Sequence, residues 1–372
     1  MRLLIVKLAD IGDLITATPA IAAAVAAPDV EVSVLTSPHA APLLAGLGGA
    51  VEVLAFAKAD FDVLAGLARP DRLLRGARLA LGLHGRRFDA VAILHHLTTP
   101  AGVVKYRALA AATGAARVAG LDNGRGGFLT DPVADPGFGA LPESEYAMRV
   151  VAALGVPRPA SLLPRVWVDA EQERRGRALA AGLGGPGFVA IHPGTGPAAP
   201  ARLYPTGHWA AVAERLQAAG CRVALVGGDG DRAEVAGVQA AGPGMAGDAV
   251  RSSPWPERVG GMSLAEVAGL LAEAALFVGA DSGLLHLAAA QGVPTVGLFG
   301  PTDPAAWAPV GEHVRVVRSG VACSPCLYQP GRPPLRIACA KPFCLHAIAP
   351  DAVAGVCLLA LAGSPVAARV GS

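Results

Sequence analysis

The chain has 372 residues, 53% of them hydrophobic, so it is too long for a single core of ordinary size and apolar enough to fill two. Its formal net charge of +2 gives no general case for a nucleic-acid partner. No segment reads as a leader or a membrane span. The apolar run from Leu14 to Pro28 follows Asp10 and Asp13, where a leader needs positive charge, and the uncharged stretch from Ala352 to Ala368 is short and holds Gly363, Ser364 and Pro365. A cytoplasmic protein is expected.

In chain order, RLLIVKL, VEVSVLT and DAVAILHH predict strands separated by alanine-rich helices. RVAGLD follows, and the Gly/Pro-rich stretch from Asn123 to Pro142 predicts a loop or lid. A helix is expected from Glu143 to Leu154, then an extended SLLPRVWVD. The second half restarts the rhythm with FVAIHPG, a helix in WAAVAERLQAAG, the strand CRVALVGG, a further helix, a strand–turn–helix–strand unit, and a last strand VRVVRS. Strands alternating with helices predict an α/β protein whose parallel sheets are covered on both faces.

The unit from Leu276 to Pro304 carries the clearest chemistry. LFVGA is a buried strand, Asp281-Ser282-Gly283 a turn with a capping hydroxyl and free N–H groups, and LLHLAAAQ a helix ended by Gly292 and Pro294 before TVGLFG. A helix N-terminus at the carboxyl end of a parallel strand attracts anions, because unpaired N–H groups and the helix dipole point at it. Phosphate is the expected occupant.

Asp13 lies just after the first strand, at the edge where doubly wound sheets take ligands. A carboxylate there can act as a general base. Aspartate after glycine and before an apolar helix also caps well, and the residues alone leave both readings open. Asp229 and Asp231 follow LVGG at another strand end, where a plain turn is one reading. Arg69, Arg72, Arg75 and Arg78 recur at every third position, and between residues 69 and 125 ten Lys/Arg stand against three Asp/Glu. That band suits an anionic partner or a charged membrane leaflet, and equally a solvated face. Cys323, Cys326, Cys339 and Cys344 are spaced as C-x2-C-x12-C-x4-C. A structural zinc site, a disulfide pair and buried thiols stay open, with zinc not favoured. Cys221 and Cys357 read as core residues.

LFVGADSGLLHLAAAQGVPTVGLFGPTDP resembles the donor-binding signature of the bacterial ADP-heptose–lipopolysaccharide heptosyltransferases, glycosyltransferase family nine, in which D-[ST]-G-x-x-H-x-A precedes a strand and G-P-T-D-P. MRLLIVKLADIGDLITATPAIAAA resembles that family's N-terminus, and MSLAEVAGLLAEAALFVGADSG its signature helix and strand. HPGTG and CSPC are weaker matches, and the set runs in order along most of the chain.

The resemblance implies a GT-B arrangement, two Rossmann-like domains with parallel sheets facing across a cleft. They are an acceptor domain at 1–160 and a nucleotide-sugar domain at 161–348, with a terminal helix at 349–372 packing back on the first. It implies an inverting, metal-independent transfer of heptose from ADP-heptose to a lipopolysaccharide core or related glycan. Asp13 would be the base. Arg202 stands where the family has lysine in Lys-x-Trp-Pro, with Tyr204 in place of tryptophan, and would hold the leaving diphosphate with Thr195, Ser282 and Gly283. Asp281 would face sugar hydroxyls, His286 would shape the loop, Asp229 and Asp231 would meet ribose, and Met262 adenine. Lys7, Arg69, Arg72 and Lys105 are the acceptor candidates. The expected partners are an ADP-sugar and an anionic lipid-linked glycan, with a peripheral contact at the cytoplasmic face of the inner membrane and no nucleic acid. The competing readings are a transferase for another nucleotide sugar, a GT-B epimerase and a non-catalytic sugar-nucleotide-binding protein. A dinucleotide oxidoreductase is disfavoured, since no G-x-G-x-x-G follows the first strand.

Overall fold

The computed structural model describes residues 1–57, 70–196, 200–243, 254–327, 339 and 343–363. The chain divides into two units, Met1–Trp167 and Val168–Ser372. The first contains β1 (Arg2–Lys7), α1 (Ile11–Ala26), β2 (Glu31–Thr36), β3 (Val51–Ala55), α2 (Pro70–Gly85), β4 (Ala90–Ile93), α3 (Pro100–Thr113), β5 (Arg117–Asp122), β6 (Asp131–Ala134) and α4 (Glu143–Ala153). The second contains α5 (Ala170–Leu179), β7 (Phe188–His192), α6 (Thr206–Ala218), β8 (Val223–Gly227), α7 (Arg232–Ala241), β9 (Glu257–Val259), α8 (Leu264–Ala272), β10 (Ala274–Ala280), α9 (Gly283–Ala290), β11 (Thr295–Leu298), α10 (Pro304–Trp307), β12 (Val314–Val317), α11 (Phe343–His346) and α12 (Pro350–Ala362).

Each unit holds one six-stranded parallel sheet, ordered β3-β2-β1-β4-β5-β6 in the first and β12-β11-β10-β7-β8-β9 in the second. Both orders start near the middle of the sheet and reverse direction there, as in a Rossmann fold. The reversal falls between β1 and β4 in one sheet and between β7 and β10 in the other. Beyond those strand ends the connecting loops diverge to opposite faces and leave room for a ligand. The central strands have no polar face: β1 is buried from Leu3 onward, and β7 and β10 are buried throughout.

Two expectations change on inspection. The stretch from Asn123 to Pro142 is not all loop, because Asp131–Ala134 adds β6 to the sheet edge, where Pro132 costs no shared hydrogen bond. The unit boundary falls at 167/168, since the Trp167 N–H donates to the Leu43 carbonyl at 2.7 Å and ties the extended segment to the first unit. Helix α12 packs on α6, β10, β11 and β12, with Val353 and Cys357 in the second core. These contacts place it in the second unit, and residues 364–372 of the expected terminal segment lie outside the described residues.

Helices α5 and α8 meet backbone to backbone. A Cβ added at Gly176 would lie 2.0 Å from the Glu266 carbonyl oxygen, and one at Gly269 would lie 2.0 Å from that of Glu173. Alanine would gain about 1 kcal/mol of helix propensity at either site. Prying apart two packed backbones costs more, about 1–3 kcal/mol and sometimes beyond. Gly269→Ala is therefore expected to lower the stability of the second unit by about 2 kcal/mol, read by chemical denaturation through the buried Trp209 and Trp255. A neutral or stabilised variant would show that the helices separate without cost.

Candidate active site

In the first unit, β1 ends at Lys7 and the chain turns through Asp10 into α1. Asp10 occupies the cap position without a capping hydrogen bond from its side chain, while Asp13 lies in the first turn. The capping reading of Asp13 therefore falls. Burial pushes the Asp13 carboxyl above the ordinary carboxylate range, Lys7 opposes that, and Glu143 and Asp10 add to it. A carboxylate raised toward neutrality is a better proton acceptor than an ordinary one.

Around it stands a cluster of buried charge. The Lys7 ammonium donates to the Leu94 carbonyl at 3.1 Å and lies 4.0 Å from Glu143. His96 follows β4, with Nδ1 2.9 Å from both carboxylate oxygens of Asp135 and Nε2 3.2 Å from Glu143. The side chains of His96, Asp135 and Glu143 are 5%, 1% and 4% exposed. Asp135 also accepts from the Gly137 N–H and the Asn123 amide. Burial disfavours charge on His96, but the two carboxylates outweigh it and raise its pKa to about 9. Next to it, His95 Nε2 accepts the Leu8 N–H at 2.9 Å, and its ring stacks on Tyr106.

In the second unit, His192 closes β7. Its Nε2 lies 3.1 Å from Asp231 and its Nδ1 3.3 Å from the Ser282 hydroxyl. Burial opposes ionisation of Asp231, but the His192 hydrogen bond and charge, together with the Gly228 N–H at 2.7 Å, hold its pKa low. An ionised Asp231 requires the His192 Nε2–H to donate to it, so in the neutral ring Nδ1 accepts the Ser282 hydroxyl hydrogen. Ser282 sits at the cap of α9 and makes no side-chain cap bond. An anion there would thus meet the backbone N–H groups of the turn. Gly194 is needed beside this relay, because a Cβ would lie 1.9 Å from Asp231 Oδ1.

Asp281, one step past β10, accepts from Arg202 Nη1 at 2.9 Å and from the Thr302 hydroxyl at 2.8 Å, both on the same oxygen. Arg202 is partly exposed and Asp281 is buried. His286 lies in α9 with its pKa lowered by burial first and by Arg202, against the pull of Asp281, and its Nδ1 has no hydrogen-bond partner. These groups can neutralise an anion and accept hydroxyl hydrogens at a dry strand end.

The family described as glycosyltransferase family 9 (heptosyltransferase) matches residues 78–333. The chain belongs to this family. Lipopolysaccharide heptosyltransferase 1 of Pseudomonas aeruginosa is 36% identical over 159 residues, which are 41% of this chain and 42% of that protein, so the match spans about two fifths of that curated relative. The E. coli heptosyltransferase WaaC with ADP superposes with a TM-score of 0.71 at 21% identity, covering 97% of this chain and 100% of that one. TibC, an iron-containing dodecameric glycosyltransferase of enterotoxigenic E. coli, follows at 0.55 and 17%, covering 98% and 78%. At such identities the structures show the fold, which is that of the GT-B heptosyltransferases.

The family-9 chain brings together most of the residues expected for the donor, but it pairs them differently. Arg202 and Asp281, expected at phosphate and sugar respectively, bind each other. Asp231 is turned inward to His192 and the Gly228 N–H. Asp229 is exposed, pairs with Arg232 at 2.7 Å and stays accessible. Thr195 is buried just past β7, and Met262 lies half-buried before the Ser263 cap of α8. Gly283 is the first residue of α9.

The acceptor candidates scatter. Lys7 is buried, donating to the Leu94 carbonyl and lying 4.0 Å from Glu143. Arg72 lies on α2, and Lys105 on α3 with its ammonium 5.2 Å from the centre of the Tyr106 ring. Arg69 falls outside the described residues. Sequence reasoning missed His96, Asp135, Glu143, His192 and Thr302. His96 stood in plain view in DAVAILHH, and Thr302 in GPTDP, but neither shows a partner until the chain folds.

Cys344 is a buried thiol in the second core, Cys326 is half-buried, and Cys323 and Cys339 are exposed. Burial, followed by the neighbouring cysteines, raises the pKa of both Cys326 and Cys344. Among the described residues no group of three or more His, Cys, Asp or Glu is arranged to hold a metal ion. Cys357 is a core thiol pushed up to about 12 by burial, and Cys221 packs beside it.

His96 carries a pH signature. Its folded pKa of about 9 exceeds the ordinary 6.5, so its contribution to stability is full below pH 6.5 and is lost as pH rises through 9. The size is about 3 kcal/mol. The difference in unfolding free energy between wild type and His96→Gln is expected to shrink by about that amount between pH 6 and 10. A pH-independent difference would mean that His96 is not charged in the fold.

Proposed function

We propose that this family-9 chain is an inverting glycosyltransferase that moves heptose from ADP-heptose to an acceptor sugar of a lipopolysaccharide core or related anionic glycan, with no metal in the step. One observation carries the reading: Asp13, raised in pKa, stands at the strand reversal of the first sheet. The names of the relatives suggest the donor, since WaaC is seen with ADP. Asp13 takes the proton of the acceptor hydroxyl as that oxygen attacks the anomeric carbon. A new C–O bond forms on the face opposite the nucleotide, the bond to the β-phosphate breaks, and ADP leaves with the electron pair. Arg202 and the N–H groups of the 281–283 turn neutralise that departing charge. Arg202 is delivered by Asp281, and a bound diphosphate competes for it. Thr195 adds a donor at the same phosphates, His286 shapes the turn, and Asp229 and Met262 take ribose and adenine.

The acceptor domain is the first unit and the donor domain the second. Arg72 and Lys105 face the anionic acceptor. Exposed Leu73, Leu74 and Leu81 lie on α2, which also carries Arg72, Arg75 and Arg78, and suit peripheral contact with the cytoplasmic leaflet. No helix among the described residues is long and apolar enough to cross a membrane.

The test is acceptor-dependent ADP release from ADP-heptose by purified protein. Asp13→Asn is expected to lose at least about 10²-fold in kcat. Arg202→Ala is expected to lose about 10²–10³-fold, with Arg202→Lys between it and wild type. Chelators should leave the rate unchanged. An Asp13→Asn protein as fast as wild type would remove Asp13 as the base, chelator-sensitive turnover would overturn the metal-free step, and conversion of donor to an epimer without acceptor would replace the transferase.

A further inference from the structure

The charge cluster of the first unit is larger than a single base requires. Asp135, His96, Glu143 and Lys7 follow one another in contact, and the last two act on Asp13. Buried ions are tolerated only where each is matched, because an unmatched one costs several kcal/mol. Both nitrogens of the His96 ring face carboxylate oxygens, with no donor on either side. A neutral imidazole would turn a lone pair at one of those carboxylates, so the geometry calls for the imidazolium. Phe138 and the edge of Tyr146 close the ring in at 4.1 and 4.8 Å between centroids.

We propose that His96 is a positioning residue for the transfer: as a cation clamped between Asp135 and Glu143, it fixes Glu143 and leaves Lys7 free to favour the ionised form of Asp13. The inference rests on the reading of Asp13 as base. The elevated pKa of His96 agrees with a charge kept through the neutral range. The other charged groups nearby have their own partners. Arg149 pairs with Glu145, Arg125 donates to the Leu97 and Thr98 carbonyls, and His95 accepts from the Leu8 N–H. Asp10 acts on Asp13 from the start of α1 and raises its pKa. Without the His96 charge, Glu143 is balanced by Lys7 alone. Lys7 is drawn toward it, Asp13 sees more negative charge, and its carboxylate is harder to form.

Three full-length variants separate this from a plain packing role. His96→Gln keeps a polar side chain and loses the charge, Glu143→Gln removes the carboxylate that His96 balances, and the double variant removes both. Two readouts are taken: the acid limb of the pH profile for ADP release, and the ¹³C titration of the Asp13 carboxyl, assigned with Asp13→Asn. In His96→Gln the midpoint should rise by about one unit, with about tenfold slower transfer below it and a rate near wild type at high pH. In Glu143→Gln it should fall, and the double variant should match that single, because His96 acts on Asp13 through Glu143. An unmoved Asp13 midpoint in His96→Gln, or a double variant that stays with the histidine single, would overturn the proposal. If His96→Gln does not fold, the shorter His96→Asn is read in its place: a raised Asp13 midpoint supports the proposal and an unmoved one would overturn it. Transfer that survives Asp13→Asn would remove the base assignment, while the carboxyl titration would still test His96 on its own.

Discussion

Buried charge in this protein is carried by pairs, and both sheets place those pairs at the same strand ends. Parallel strands buried on both faces offer no wet side on which a charge can rest. Only at the carboxyl ends, where the strand order reverses and the loops part, does the backbone leave room for ionisable groups. There each one is matched: Lys7 by Glu143, His96 by Asp135 and Glu143, Asp231 by His192 and Gly228, Asp281 by Arg202 and Thr302.

The two strand ends solve that problem to different effect. In the first unit the pairing is closed and deep, and its consequence is electrostatic: a carboxyl in the first turn of α1 sits above its ordinary range under the joint influence of burial, a lysine and two carboxylates. In the second unit the pairing is more open. Arg202 keeps part of its surface in water, so its bond to Asp281 is of the kind an incoming diphosphate can replace. Under the proposed function, the first site would supply the proton acceptor and the second the cation for the leaving anion.

Close backbone approach is the second constraint. Gly194 lets the loop after β7 pass over the Asp231 carboxylate, and Gly176 with Gly269 lets α5 lie directly on α8. The HPGTG run therefore has a steric reason for its glycine at 194 in addition to any contact its threonine makes. Tyr204 in the second unit is held by its surroundings. The ring is buried, stacks edge-on against Trp209, and passes its hydroxyl hydrogen to the Ile348 carbonyl at 2.8 Å.

The sequence alone determined the alternating strands and helices, the two-unit plan, the turn at 281–283 and the placement of Asp13 after the first strand, because these depend on the spacing of apolar residues and on glycine and proline over short spans. The ordered match of its motifs also made the family legible. What it could not reveal is which distant groups meet. His96, Asp135 and Glu143 lie 39 and 47 residues apart, and Arg202 lies 79 from Asp281. Nothing local marks them as partners. Only the tertiary structure decided that Lys7 lies beside Glu143, that Asp231 pairs with His192, and that Asp10, not Asp13, holds the cap position. The physical reason is the same throughout: charge pairing in a dry interior is set by which strand ends lie side by side, and the strand order is a property of the whole sheet.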